Sequence, residues 1–128
     1  MNLQTKIQTF GIILATEKFD ECVHFYRDIL GLPVWYEKPT LVCLRFGAGY
    51  LMIETGGHAV AGQKSNHQNP TILRFNVKDV DTATDELSKQ GITVTREDFT
   101  WGKVATFVDP DGNVCEFKDA DDAFFSKY

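Results

Sequence analysis

Paired cysteines are missing from this chain. Its three, Cys22, Cys43 and Cys115, are odd in number, widely spaced and form no CxxC. That argues against a disulfide framework or a zinc site and for small, reduced core residues in a cytosolic protein. Basic runs are missing too, and 13 basic against 18 acidic side chains leave a net charge of −5. Binding along a phosphate backbone needs clustered cations, so nucleic acid is set aside as a partner. No window approaches the roughly 20 apolar residues of a membrane span. The opening residues, MNLQTKIQTF, lack the charged-then-apolar pattern of a secretory signal. A cytoplasmic protein without membrane attachment is therefore expected.

What is present is an ordinary globular composition, 43% hydrophobic and 24% charged over 128 residues. That length suits one domain with a real core. Thr9 to Ala15 is a short apolar run rich in β-formers and predicts a strand. Phe19, Cys22, Val23, Phe25, Tyr26, Ile29 and Leu30 then recur at helical spacing, and Gly31 and Pro33 end that helix. Strands are predicted at Val34 to Glu37, Leu41 to Phe46 and Tyr50 to Glu54. From Thr55 to Pro70 glycine and polar residues dominate, which predicts a long flexible connection.

The pattern then restarts. Thr71 to Val77 alternates, with Leu73, Phe75 and Val77 on one face and Ile72, Arg74 and Asn76 on the other. Asp79 suits the N-cap of a helix carrying Val80, Ala83 and Leu87, closed by Gly91. A strand containing Val94 follows, then Lys103 to Val108, the turn Asp109-Pro110-Asp111-Gly112, and Asn113 to Phe117. Asp-Pro-Asp-Gly between apolar strands signals a hairpin. Ala120 to Tyr128 is read as a short helix packed through Phe124, Phe125 and Tyr128. Both halves thus read strand–helix–strand–strand–strand, an internal repeat.

Three stretches carry a family resemblance. Phe25-Tyr26-Arg27-Asp28-Ile29-Leu30-Gly31-Leu32 resembles the FYRDxLGL segment of the glyoxalase/bleomycin-resistance/extradiol dioxygenase (vicinal oxygen chelate) superfamily. Val77-Lys78-Asp79-Val80-Asp81 is similar to its VxDxD helix start, and Val108 to Glu116 to its DPDGNxxE hairpin. They lie in order, and the implied alignment covers nearly the whole chain. The resemblance implies an α+β fold of two βαβββ modules, whose eight strands form a cup-shaped mixed sheet with helices outside. It places module one at about 6–56, a connection at about 57–69, module two at about 70–120 and a tail to 128. It also implies a homodimer, which would cover exposed strand edges.

Enzymes of this superfamily hold a divalent metal through one side chain from the first and one from the last strand of each module. Carried over, those positions fall on Gly11, at or near Glu54, on Ile72 and on Glu116. Gly and Ile cannot bind a metal, so two carboxylates remain and no imidazole. Zinc prefers nitrogen and sulfur ligands and takes three or four, so no cofactor is expected beyond a weakly bound divalent ion on Glu54 and Glu116. This departure counts against metal-dependent lactoylglutathione lyase and extradiol dioxygenase chemistry, which needs polarised substrate oxygens.

The remaining candidates are polar and aromatic. Arg45, Arg74 and Asn76 are expected to face inward with Glu54 and Glu116. They form either mutually neutralising ion pairs or a ligand site with an arginine as anion anchor. Trp35, Tyr36, Tyr50, Phe99 and Trp101 form an aromatic lining, or core and subunit contacts. His24 sits on the first helix; His58 and His67, in the connection, would act only if that loop folds inward. Two functions stay open. One is a small-molecule-binding protein of the glyoxalase/bleomycin-resistance type, its cup taking an aromatic or anionic ligand. The other is a lactoylglutathione-lyase-like lyase or isomerase with Glu54 or Glu116 as base. A purely structural or protein-interaction module is permitted but unsupported.

Overall fold

The computed structural model describes residues 1–120. The expected C-terminal helix, with Phe124, Phe125 and Tyr128, lies outside the described residues. In chain order the elements are β1 (Gly11–Thr16), α1 (Phe19–Val23), a π-helical turn His24–Ile29, β2 (Val34–Lys38), β3 (Leu41–Phe46) and β4 (Gly49–Thr55), then β5 (Leu73–Val77), α2 (Val80–Lys89), β6 (Thr95–Phe99), β7 (Gly102–Val108) and β8 (Val114–Asp119). They fall into two units, Met1–Ala59 and a second from Val60 onward. Each unit holds one four-stranded sheet, ordered β1-β4-β3-β2 in the first and β5-β8-β7-β6 in the second. The first and last strands of each unit pair in parallel, and the other pairs are antiparallel. The α+β class and the repeated strand order are as the sequence predicted.

In the first unit, Thr16 ends β1 and starts the helix. Its buried hydroxyl accepts from the Lys18 amide at 2.8 Å, a local turn typical of Thr. Asp20 and Glu21 then occupy the first turn, where carboxylates suit the helix dipole. The apolar stripe predicted one regular helix to Leu30, and the structure divides it. After Val23 the backbone widens, and the Leu30 amide donates to the Phe25 carbonyl five residues back at 2.9 Å. The wide turn buries the neighbours Phe25 and Tyr26 together, edge-to-face at 5.0 Å. Gly31, at a φ of 74°, lets the chain leave. On the outer side Asp28 is bonded by Arg27 at 2.8 Å and His24 at 3.0 Å, and these bonds, Arg27's first, hold its carboxyl down to about 2.

Cys22, Val23, Phe25 and Tyr26 share this unit's core with Val42, Leu44, Leu51 and Ile53, and α1 packs on β4. Each large apolar side chain so buried contributes about 1.5–3 kcal/mol. Cys43 and Cys115 are buried as well, and none of the three cysteines is joined in a disulfide.

In the second unit the Asp79 carboxylate accepts from the Thr82 amide at 3.1 Å and the Thr82 hydroxyl at 2.9 Å, the N-cap predicted for α2. At the other end the Ile92 amide returns to the Leu87 carbonyl across Gly91, whose φ is 83°. Val80 and Leu87 are the buried residues of α2, which packs on β7 and β8. They join Leu73, Ala105, Phe107, Cys115 and Phe117 in the core.

Three boundaries differ from expectation. β1 starts at Gly11 and β5 at Leu73, and Val94 precedes β6. Every residue of β6 is exposed, so it offers no apolar alternation to read. Charge ties it down instead: Arg96 bonds Asp81 of α2 at 2.8 Å, and Lys103 of β7 bonds the same carboxylate at 3.1 Å. The connection, predicted flexible, is pinned where it enters the second unit. Lys64 donates through its amide to the Gly112 carbonyl at 2.7 Å and through its ammonium to Asn113 Oδ1 at 3.1 Å. Asn69 reaches that same oxygen at 2.9 Å. No helix among the described residues is long and apolar enough to cross a membrane.

Hydrogen bonds from the Thr82 amide, then its hydroxyl, hold the Asp79 carboxyl below its ordinary value. Such a group stabilises the fold fully above its unfolded value, and the gain is lost as pH falls through the lowered folded value. Asp79→Ala is expected to lower the melting temperature at neutral pH by a few degrees, Asp79→Asn by less, since amide oxygen still caps. In Asp79→Ala the acid-side decline below about pH 4 should also be shallower, as circular dichroism melts across pH would record.

Candidate functional site

Each sheet is covered by its helix on one face, and the sequence-predicted residues gather on the other. On the first sheet, register runs Gly11 of β1 opposite Tyr50 of β4, and Tyr50 opposite Arg45 of β3. On β2 the pairing slips, Val34 facing Leu44 and Tyr36 facing Cys43, so Trp35 is an extra residue in a bulge. The bulge re-aims Trp35 toward this row. Its ring lies 5.8 Å from Tyr50 and 5.5 Å from Tyr36, and the Arg45 guanidinium sits over it at 4.4 Å. Trp35, Tyr50 and Arg45 are thus brought together as candidates. Burial, then Cys43, pushes the Tyr36 phenol up from its ordinary value.

Gly11 has a steric reason to be glycine. A Cβ added there would fall within the Tyr50 ring, against its Cε2, Cζ and Cδ2 atoms. Tyr50 fills the room a metal-ligating side chain at this position would need.

Glu54 lies on the same face, between Ala15 and Leu41 in register, and is half-buried. Of the two readings, ion pairing or a ligand site, no Glu54–Arg45 pair is present among the described residues. Glu54 has no ion pair or hydrogen bond among the described residues, and Arg45 rests on Trp35 instead. The reason is separation along the strand: Tyr50, which faces Arg45, and Glu54 are four residues apart, about 13 Å.

On the second sheet Arg74 of β5 stands opposite Glu116 of β8, and they form an ion pair at 2.5 Å. The Glu116 side chain is 11% exposed and that of Arg74 45%. A nearly buried carboxylate needs such a partner, so this half of the expected ion pairing is present. Asn76 is exposed opposite Lys118, and Ile72 lies just before β5, 49% exposed. Trp101 stacks on Phe99 at 4.7 Å and 6°. Lys118, which the sequence pattern did not single out, is buried on this face; it bonds Asp119 at 2.7 Å and lies 5.7 Å from the Trp101 ring. Alternation from Glu116 was the signal that could have found it. The Asp119 carboxyl is lowered by Lys118 first and then by the Lys103 amide.

His24, His58 and His67 are all exposed. A catalytic part for His58 or His67 was conditional on the connection folding inward; Lys64 and Asn69 dock the connection on the Asp109–Asn113 turn. There the Asp109 carboxylate accepts from the Asp111 and Asn113 amides, both at 2.9 Å, and Lys64 compensates buried Asp111 at 3.5 Å. No local pattern marks a loop lysine as a clasp, which is why sequence reading passed over it.

A metal does not suit the four family positions. Gly11 offers no donor and its space holds a ring, Ile72 is apolar, Glu116 is engaged by a guanidinium, and Glu54 alone is one ligand. Among the described residues no three His, Cys, Asp or Glu side chains gather closely enough to hold an ion.

Gly11→Ala should force Tyr50 aside, costing about 1–3 kcal/mol in denaturant unfolding and changing Trp35 fluorescence. In a Tyr50→Ala background the same substitution should cost much less. Additive losses would show that the two residues are not coupled.

The comparisons agree with this architecture. The family model for the Glyoxalase/Bleomycin resistance protein/Dioxygenase superfamily matches residues 7–117. The uncharacterized protein YraH of Bacillus subtilis (strain 168) is 34% identical over 119 residues, 82% of this chain and 92% of that protein. Among solved structures, a lactoylglutathione lyase from Agrobacterium tumefaciens aligns with a TM-score of 0.69 at 21% identity, over 87% of this chain and 92% of its own. The oxidase ChaP-H2 aligns with a TM-score of 0.68, also at 21% identity, over 90% and 94%. These likenesses show the fold alone, and one fold carries a lyase and an oxidase. With the model spanning both βαβββ repeats and a relative a third identical, the chain belongs to the Glyoxalase/Bleomycin resistance protein/Dioxygenase superfamily.

Proposed function

We propose that this protein binds a small planar or anionic organic molecule and holds no tight catalytic metal. The observation that carries the reading is the Tyr50 ring in the space of a side chain at Gly11. Arg74 supports it by supplying to Glu116 the positive charge that a cation would bring. Aromatic rings and arginines on the open sheet faces are what such a ligand requires: apolar walls for area and a fixed cation for orientation. A homodimer belongs to the same proposal, because β2 and β6 are edge strands exposed along their whole length.

The runner-up is a lyase or isomerase related in chemistry to the lactoylglutathione lyase that the fold resembles. One observation favours it: Glu54 is half-buried and its carboxylate is uncommitted among the described residues, as a general base must be. Glu116, tied to Arg74, suits that role less well.

Elemental analysis of protein purified without an affinity tag, after exposure to Mn²⁺, Ni²⁺ and Zn²⁺ and then desalting, tests the reading. Metal content far below one equivalent per chain is expected, unchanged by Glu116→Gln. Near-stoichiometric metal that falls in Glu116→Gln would overturn the proposal and bring the enzyme forward.

A further inference from the structure

The chain has four arginines, Arg27, Arg45, Arg74 and Arg96. Three of them are matched to carboxylates: Arg27 to Asp28 at 2.8 Å, Arg74 to Glu116 at 2.5 Å and Arg96 to Asp81 at 2.8 Å. Arg45 has no acidic partner among the described residues. Its guanidinium is exposed and rests over Trp35 at 4.4 Å. An arginine lying on an indole directs its N–H donors in the plane of the guanidinium, where a carboxylate meets them bidentately.

The surroundings narrow the partner. Tyr50 stands 5.8 Å from Trp35 and inclined at 57°, and Tyr36 flanks Trp35 on β2 at 70°. Trp35 remains 45% exposed and Tyr36 39%. Rings of that size gain about 1.5–3 kcal/mol each from full burial, so an occupant that covers them gains area as well as charge. The β2 bulge and the missing Gly11 side chain are the two backbone features that put Trp35 and Tyr50 beside Arg45.

We infer that Arg45, with Trp35 and Tyr50, is an anion subsite for the carboxylate of a planar aromatic acid. This deepens the metal-free binding reading and rests on it. One guanidinium without a second cation fits a monoanion better than a phosphate dianion. Glu54, about 13 Å along the strand from Tyr50, lies too far to take a proton from a one- or two-ring acid anchored there, so the subsite holds its ligand unchanged.

The probes are 2-naphthoate and the neutral 2-naphthamide, titrated by calorimetry into wild-type protein, Arg45→Gln, Arg45→Lys and Arg74→Gln. Melting curves confirm that each variant is folded. Arg45→Gln is expected to weaken naphthoate at least tenfold and leave naphthamide unchanged. Arg45→Lys should recover only part of the loss, for want of the planar fork. Unchanged naphthoate affinity in Arg45→Gln, or wild-type protein that prefers the amide, overturns the inference. A loss in Arg74→Gln instead also overturns it, moving the anion to the second sheet while metal-free binding stands. Failure of that broader reading shows separately, as stoichiometric metal in the elemental analysis.

Discussion

Among the described residues each four-stranded sheet has one helix packed on it, α1 on the first and α2 on the second. The face of each sheet turned away from its helix carries polar and aromatic side chains, and its composition differs from the core accordingly. Behind β4, Leu51 and Ile53 are fully buried; on the other side of the same strand stand Tyr50, Met52 and Glu54. A β-strand presents alternate residues to opposite faces, so this partition follows from pairing register alone. The candidate binding residues are displayed on faces that the helices leave uncovered.

Those faces deal with charge in two ways. On the second sheet Glu116 is nearly buried, and a buried carboxylate is costly unless a cation meets it. Arg74, directly opposite in register, meets it. On the first sheet Arg45 has no carboxylate partner among the described residues, and an aromatic platform lies beneath it. The same residue types therefore end in opposite states, one arginine neutralised and one left available. That asymmetry separates an ion-paired arginine from one stacked on a ring, and neither state is visible in residue identity.

Glycine contributes by what it omits. At Gly11 the missing side chain admits the Tyr50 ring, which leaves no room for a larger side chain at that position. At Gly112 a positive φ of 84° and close approach to the Gly62 carbonyl let the connection lie against the Asp109–Asn113 turn. The first seats an aromatic ring against β1. The second turns a polar linker into a fastened segment, with Lys64 and Asn69 as its clasps.

Residue pattern was enough to establish the repeat, the class and most of the elements. Alternation at Leu73, Phe75 and Val77, the Asp79 cap and the two closing glycines are local signals with local causes, and β3 runs from Leu41 to Phe46 as read. The pattern missed the break of the first helix into a π turn, because burying adjacent Phe25 and Tyr26 is a demand of the core rather than of periodicity. It missed most of β6, an exposed strand held by charges from α2 and β7. Folding in three dimensions was needed to settle which carboxylates Arg27, Arg74 and Arg96 meet, that the Tyr50 ring fills the space beside Gly11, and that Lys64 fastens the loop. Such pairings join residues far apart in the chain, and their energies depend on distances set by strand register and burial, which no local pattern encodes.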